Sequence, residues 1–178
     1  MSLRSYLRFG RSLVLRDRPV YVHYAVTSRC NLRCRSCVIW RRDEPELGTE
    51  QVAEMAAMFA RLGCVQASLG GGEPALRKDL ADIVQIFQSQ GIRTRVLTNG
   101  VAMTPKISSR LVAAGLREVS VSLDSLDEGV QDSLDNTGKT YRTRMDNLLA
   151  LARTLPRRGA LPTLNTVVTP RNIGELLD

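Results

Sequence analysis

The sequence predicts an α/β fold in which parallel strands are joined by crossover helices. Three observations carry the prediction. Short segments rich in Val, Leu and Ile alternate with segments of helical period from residue 20 onward. Gly63, Gly91 and Gly115 each stand where a helical pattern stops. A polar or glycine-rich cluster follows almost every strand segment. Strand–helix alternation of this kind gives a parallel sheet, and the loops after the strand ends then share one rim.

The elements follow in chain order. Residues 1–18 read as a basic, weakly amphipathic helical extension, with Leu3, Leu7, Leu13 and Val14 opposite Arg4, Arg8 and Arg11. This extension is expected to pack on the core domain of residues 19–178 rather than on a membrane; Pro19 breaks its pattern. Val20–Val26 is a strand leading into Thr-Ser-Arg-Cys-Asn-Leu-Arg-Cys-Arg-Ser-Cys. Thr49 caps a helix to about Leu62, with Val52, Met55, Ala56 and Phe59 on one face. Val65–Leu69 is a strand, followed by Gly70-Gly71-Gly72-Glu73-Pro74. A helix covers Leu80–Gln90, a strand Arg93–Leu97 before Thr98-Asn99-Gly100, and a helix Pro105–Ala114. Glu118–Leu123 is a strand before Asp124-Ser125, and Asp127–Leu155 is a helical region, in one piece or two. Leu164–Val168 is a fifth strand, and a helix opens at Asn172.

Composition narrows the function classes. Of the 178 residues 43% are hydrophobic but only 4% aromatic, so Leu, Val, Ala and Ile must build the core. No run of 18 apolar residues exists, and the N-terminus lacks the apolar stretch of a signal peptide. A cytoplasmic chain with reduced thiols is the expectation. A net charge of +7 suggests nucleic acid, yet the arginines are dispersed and no aromatic–basic alternation marks a binding surface. The one concentration, Arg29, Arg33, Arg35, Arg41 and Arg42, brackets the cysteines. These are either solvated loop charges or groups that lower the thiol pKa values and dock an acidic electron donor.

Cys30, Cys34 and Cys37 form a CxxxCxxC with no fourth thiol nearby. Three thiolates can wrap one metal centre and leave a position open for chemistry. Spacing alone leaves three readings: an open iron–sulfur site, a zinc site completed by His23, and unrelated thiols. Cys64, preceding an apolar run, reads as a small buried hydrophobe.

Taken together, CxxxCxxC after the first strand, Gly-Gly-Glu-Pro about 34 residues past Cys37, then Thr-Asn-Gly and Ser-Leu-Asp after the next two strands, resemble the radical S-adenosylmethionine (radical SAM) enzymes over about residues 20–178. The resemblance implies a partial (β/α)6 TIM-like barrel of parallel strands, here incomplete at the C-terminus and truncated after the fifth strand. It implies a [4Fe–4S] cluster on Cys30, Cys34 and Cys37 and S-adenosylmethionine on the open iron. One electron, from a donor such as flavodoxin or ferredoxin, then yields a 5′-deoxyadenosyl radical that abstracts hydrogen from a small-molecule substrate, in oxidoreductase- or transferase-type chemistry. By the same resemblance, Gly71 and Gly72 let the backbone approach the ligand and, with Glu73, hold its ammonium group. Thr98 and Asn99 would reach the substrate or the carboxylate, although Asn99 before glycine also suits a plain turn. Ser122 and Asp124 would reach the ribose or the carboxylate, and Asn165 and Val168 the adenine or the barrel wall.

Departures from the family pattern bear on the substrate. Ser36 replaces the usual aromatic beside the adenine, which leaves Trp40 as a substitute. Ser68 and Thr163 stand where the GTP-cyclising branch has basic residues, which disfavours a triphosphate. The chain also lacks the cysteine-rich C-terminal extension of the peptide-modifying and sulfatase-maturing branches, and Cys64 alone cannot form a second cluster. The alternatives are a non-catalytic iron–sulfur or zinc-binding module of the same fold, and a nucleic-acid binder resting on charge alone.

Overall fold

A computed structural model describes residues 19–156 and 161–176, with Leu7 and Gly10 before them. The N-terminal extension otherwise lies outside the described residues. Five strands form one sheet in the order β1 (Tyr21–Thr27), β2 (Gln66–Gly71), β3 (Arg93–Thr98), β4 (Glu118–Ser122) and β5 (Leu161–Asn165), every neighbouring pair parallel. The crossovers are α1 (Thr49–Leu62), α2 (Leu80–Ser89), α3 (Pro105–Ala113), α4 (Glu128–Asp135) and α5 (Tyr141–Thr154). No described helix is long and apolar enough to cross a membrane.

Register separates the two faces of the sheet. Leu69 pairs with Val96 and Val96 with Val119, and all three are buried with Ala67 and Val121. Against them pack Val52 and Ala56 of α1, Ile83, Val84 and Phe87 of α2, Leu111 of α3 and Leu151 of α5. Alternate residues form the other face, where His23, Ser68, Arg95 and Glu118 stand in one register row. Arg95 Nη2 lies 2.8 Å from Glu118 Oε2, and Arg93 also pairs with Glu118.

Several boundaries differ from expectation for identifiable reasons. β2 runs through Gly70 and Gly71, which pair with Ala25 and Thr27. Gly48, not Thr49, caps α1, with Gln51 Oε1 accepting the Gly48 N–H at 2.9 Å. Asn136, with φ 53°, ends α4 and divides the long helical region. β5 lies three residues earlier than the apolar Val167-Val168 pair suggests. Ser122 pairs with Asn165, after which Val167 N–H turns to Asp124 Oδ1 at 2.9 Å. Val168 is 57% exposed and is not a wall residue, contrary to expectation. The helix expected from Asn172 is a short 3-10 turn, Ile173–Leu176. Cys64 is fully buried, and burial pushes its thiol pKa up, as suits a structural thiol.

Arg77 clips the strand-end loops together. It donates from Nη1 to Val26 O at 2.7 Å and from Nη2 to Leu47 O, and pairs with Asp79 at 2.8 Å. The guanidinium holds the Asp79 carboxyl below its usual range. The pair's contribution is therefore complete above the ordinary carboxyl pKa and is lost as pH falls through the lowered value. Arg77→Met leaves two carbonyls unanswered and should lower stability by about 3 kcal/mol in urea titrations at pH 7. The deficit should narrow below about pH 3.5.

Candidate active site at the strand-end rim

The cysteine loop is held against β2 by backbone contacts. Gly72 N–H donates to Thr27 O at 2.7 Å and Glu73 N–H to Arg29 O at 2.8 Å. A Cβ at Gly71, which has φ 111°, would lie 2.3 Å from Thr27 O; one at Gly72 would lie 2.2 Å from Arg29 O. The close approach that demands glycine is thus made by the protein's own backbone, while both glycines also line the adjoining cleft. Leu32, 2% exposed, anchors the loop's middle.

That cleft has a volume of about 330 Å³, within the range of small-molecule sites. Cys30, Cys34 and Cys37 line one side of it. Thr98 and Asn99, then Ser122 and Asp124, come from the ends of β3 and β4, and Asn165 from β5. Ser122 is exposed, and Asp124 is fixed through Oδ1 by Val167 N–H and through its own N–H by Gln131 Oε1. His23 also lies on the cleft wall. Among the described residues no group of three His, Cys, Asp or Glu side chains stands preformed as a metal ligand set.

Burial pushes Cys30 and Cys34 above the usual thiol range, Cys34 to about 11 with Asp135, Cys30 and Cys37 adding to the effect. Burial outweighs any lowering by the neighbouring arginines at these two thiols. Arg29 pairs with Glu46 at 2.8 Å, and Arg33 donates to the carbonyls of Cys30 and Leu32. Arg33 and Arg41 stack on Trp40 at 5.2 and 4.9 Å, and Trp40 Nε1 donates to Cys34 O at 3.3 Å. Trp40 is engaged in these contacts, and the cleft is lined beside it by Ile39 and Cys37.

Glu73 lies beneath the cleft rather than in it. It is 0% exposed, and its carboxylate accepts from Ala75 N–H at 3.0 Å, Thr98 Oγ1 at 2.7 Å and Asn99 N–H at 2.7 Å. Burial raises its pKa against those hydrogen bonds. The expectation that Glu73 touches a ligand gives way to a role in setting the Thr98-Asn99 turn. Asn99 both makes the turn, through Val101 N–H to Oδ1 at 2.9 Å, and bridges to Asn31 Oδ1 at 2.8 Å.

Sequence reasoning missed Arg144. It is 1% exposed at the back of the cleft. Nη2 pairs with Asp135 Oδ2 at 2.7 Å, Nε donates to Asn99 O at 2.7 Å, and buried Nη1 has no partner. An unanswered guanidinium N–H on a cleft wall is a donor for an anionic group. The only signal in the sequence is an arginine on a helix face that also holds Asn147 and Leu151, and it does not tell Arg144 from a surface charge. The site thus offers three thiols, a glycine-backed floor and a buried cation, a donor set that fits a thiolate-held cluster with an amino-acid-like ligand.

A parallel sheet with thiols and a buried cation at its strand-end rim defines an α/β protein built to hold a metal-centred cofactor there. The chain belongs to the radical SAM superfamily, whose family model matches residues 24–178. The superfamily's cofactors are a [4Fe–4S] cluster and S-adenosylmethionine. Mycofactocin maturase MftC of Mycobacterium tuberculosis (strain ATCC 25618 / H37Rv) is 30% identical over 172 residues, covering 95% of this chain and 42% of the relative. PqqA peptide cyclase of Bradyrhizobium diazoefficiens is 30% identical over 164 residues, covering 90% of this chain and 42% of the relative. The chain thus spans less than half the length of these relatives. In fold it is similar to Streptococcus suis SuiB bound to the precursor peptide SuiA, with TM-score 0.73, 17% identity and coverage of 97% of this chain and 39% of that one. SuiB bound to S-adenosylmethionine gives a TM-score of 0.70 at 17% identity, covering 97% of this chain and 41% of that one.

Gly72→Ala places a methyl against backbone that cannot move aside. It is expected to cost about 3 kcal/mol and to speed alkylation of Cys30 and Cys34. Urea titration and thiol-labelling rates at parent values would show that the loop tolerates the methyl.

Proposed function

We propose that this chain forms the cofactor-binding part of a radical SAM enzyme acting on a peptide. The observation that carries the reading is that the three cysteines line one cleft together with Arg144, whose buried Nη1 has no partner. Cys30, Cys34 and Cys37 hold the cluster. Arg144 Nη1 holds a ligand carboxylate, with Ser122 and Asp124 beside it. The carbonyls of the Gly71–Gly72 floor hold the ammonium end, and Glu73 acts below by fixing Thr98 and Asn99. The bound cofactors supply an electron and the radical that removes a hydrogen atom from substrate. Cys30 and Cys34, neutral when free, release protons as they take up metal. A peptide is favoured over a small metabolite because the relatives at 30% identity include a peptide cyclase and a maturase, and SuiB is bound to a precursor peptide. Exposed Arg35, Arg41 and Arg42 form the side on which an acidic one-electron donor docks.

Anaerobic reconstitution should give a brown protein with about four irons that releases 5′-deoxyadenosine on reduction. Cys34→Ala should abolish both properties, and Arg144→Gln should weaken S-adenosylmethionine binding about tenfold or more. A colourless protein with one zinc would establish the non-catalytic module instead. Reversing Arg35, Arg41 and Arg42 to Glu together should slow reduction by flavodoxin at least about tenfold at low salt and leave dithionite reduction unchanged. Equal flavodoxin rates would place docking elsewhere.

A further inference from the structure

We infer that Asp135 is a positioning residue for the cysteine loop, joining its Cys34 end to Arg144 and thereby to the Asn99 turn. The inference rests on the reading of Cys30, Cys34 and Cys37 as cluster ligands. Asp135 ends α4 and is 3% exposed. Oδ2 accepts from Arg144 Nη2 and Thr140 Oγ1, each at 2.7 Å. Oδ1 accepts from Gln131 Nε2 at 3.0 Å and lies 4.0 Å from Cys34 Sγ.

The backbone of Asp135 and its neighbours grips the loop at Arg33, next to Cys34. Arg33 N–H is shared between Asp135 O at 3.2 Å and Thr137 Oγ1 at 2.7 Å. Asn136 Nδ2 returns a hydrogen bond to Arg33 O at 3.3 Å. Both polar groups of the Arg33 backbone are therefore held by one turn, which the left-handed φ of 53° at Asn136 creates. A second arm leaves the same guanidinium: Arg144 Nε holds Asn99 O at 2.7 Å, and Asn99 Nδ2 holds Asn31 at 2.8 Å. Arg144 thus reaches the loop at Asn31 and at Arg33, on either side of Leu32. Whatever occupies its free Nη1 is two residues' contacts away from both Cys30 and Cys34. The Asp135 carboxylate also places negative charge beside a ligand sulfur, which disfavours adding an electron to a centre held there.

The test compares the parent chain with Asp135→Asn, Thr137→Val and Thr137→Ser after anaerobic reconstitution. Asp135→Asn should lose iron to a chelator about tenfold faster than the parent and should shift the midpoint potential positive. Thr137→Val should lose iron about threefold faster at unchanged potential, since it removes only an uncharged hydroxyl that accepts from Arg33 N–H and donates to Asp135 O at 2.9 Å. Thr137→Ser, which keeps the acceptor, should match the parent. Parent-like iron loss in both Asp135→Asn and Thr137→Val, with an unshifted potential, overturns the inference. Where circular dichroism shows Asp135→Asn unfolded, the Thr137 pair decides: equal rates for Val and Ser overturn it. A folded parent chain that takes up no iron overturns the cluster reading itself, an outcome distinct from variants that load normally.

Discussion

The close approach of two backbones at Gly71 and Gly72 is the constraint on which the rim depends. Parallel strands deliver β1 and β2 side by side, but a sheet register alone would let their exit loops diverge. The carbonyls of Thr27 and Arg29 instead accept from Gly72 and Glu73, in space that a single Cβ would fill. That contact fixes where the cysteine loop leaves the sheet. The same contact sends the next residue, Glu73, downward into the protein. The glycines hold the chain that carries the thiols and also line the cleft.

From Glu73 the constraint passes across the sheet. A buried carboxylate needs compensation, and here three donors come from Ala75, Thr98 and Asn99. Two of the three lie at the end of β3, so satisfying Glu73 also sets the Asn99 turn. Asn99 presents its carbonyl to Arg144, and Arg144 is paired with Asp135. Asn147 of α5 closes the arrangement by donating to Gly100 O and Val101 O, each at 3.0 Å. Removing any one member would leave another buried polar group unanswered, so the set constrains itself. Arg144 Nη1 is the exception, a buried donor in this set with no partner.

What the sequence revealed follows from the range of the interactions involved. Helices with a strong apolar face appeared close to their expected bounds, because local period and packing agree; α1 ends at Leu62 as expected and starts one residue before its expected cap would place it. The rim clusters were legible because parallel topology brings every strand end to one side. β5 was displaced because Val167 and Val168 look like strand, whereas the ladder to β4 and the Asp124 bond to Val167 decide the pairing. Glu73 and Trp40 were placed as ligand contacts when they are occupied by contacts within the protein. Arg144 and Asp135 escaped notice because their significance is a contact between two helices and a loop. A charged residue on a helix looks the same in sequence whether it faces water or a carboxylate.

The two faces of the sheet divide stability from function. The buried apolar residues of β2, β3 and β4 meet α1, α2, α3 and α5, so the hydrophobic core lies on that side. The opposite face carries His23, Ser68, Arg95, Glu118, Ser122 and Asn165, where a closed (β/α)8 barrel would carry packed branched side chains. Two arginines share one carboxylate there, Arg95 level with Ser68 and Arg93 level with Gln66. A cation is therefore present in the row where the sequence showed none on β2; it comes from the neighbouring strand. Polar side chains on this face add little hydrophobic stability but remain able to bond to what enters. Folding can thus be driven from the helical side while the opposite face and its rim keep their polar groups.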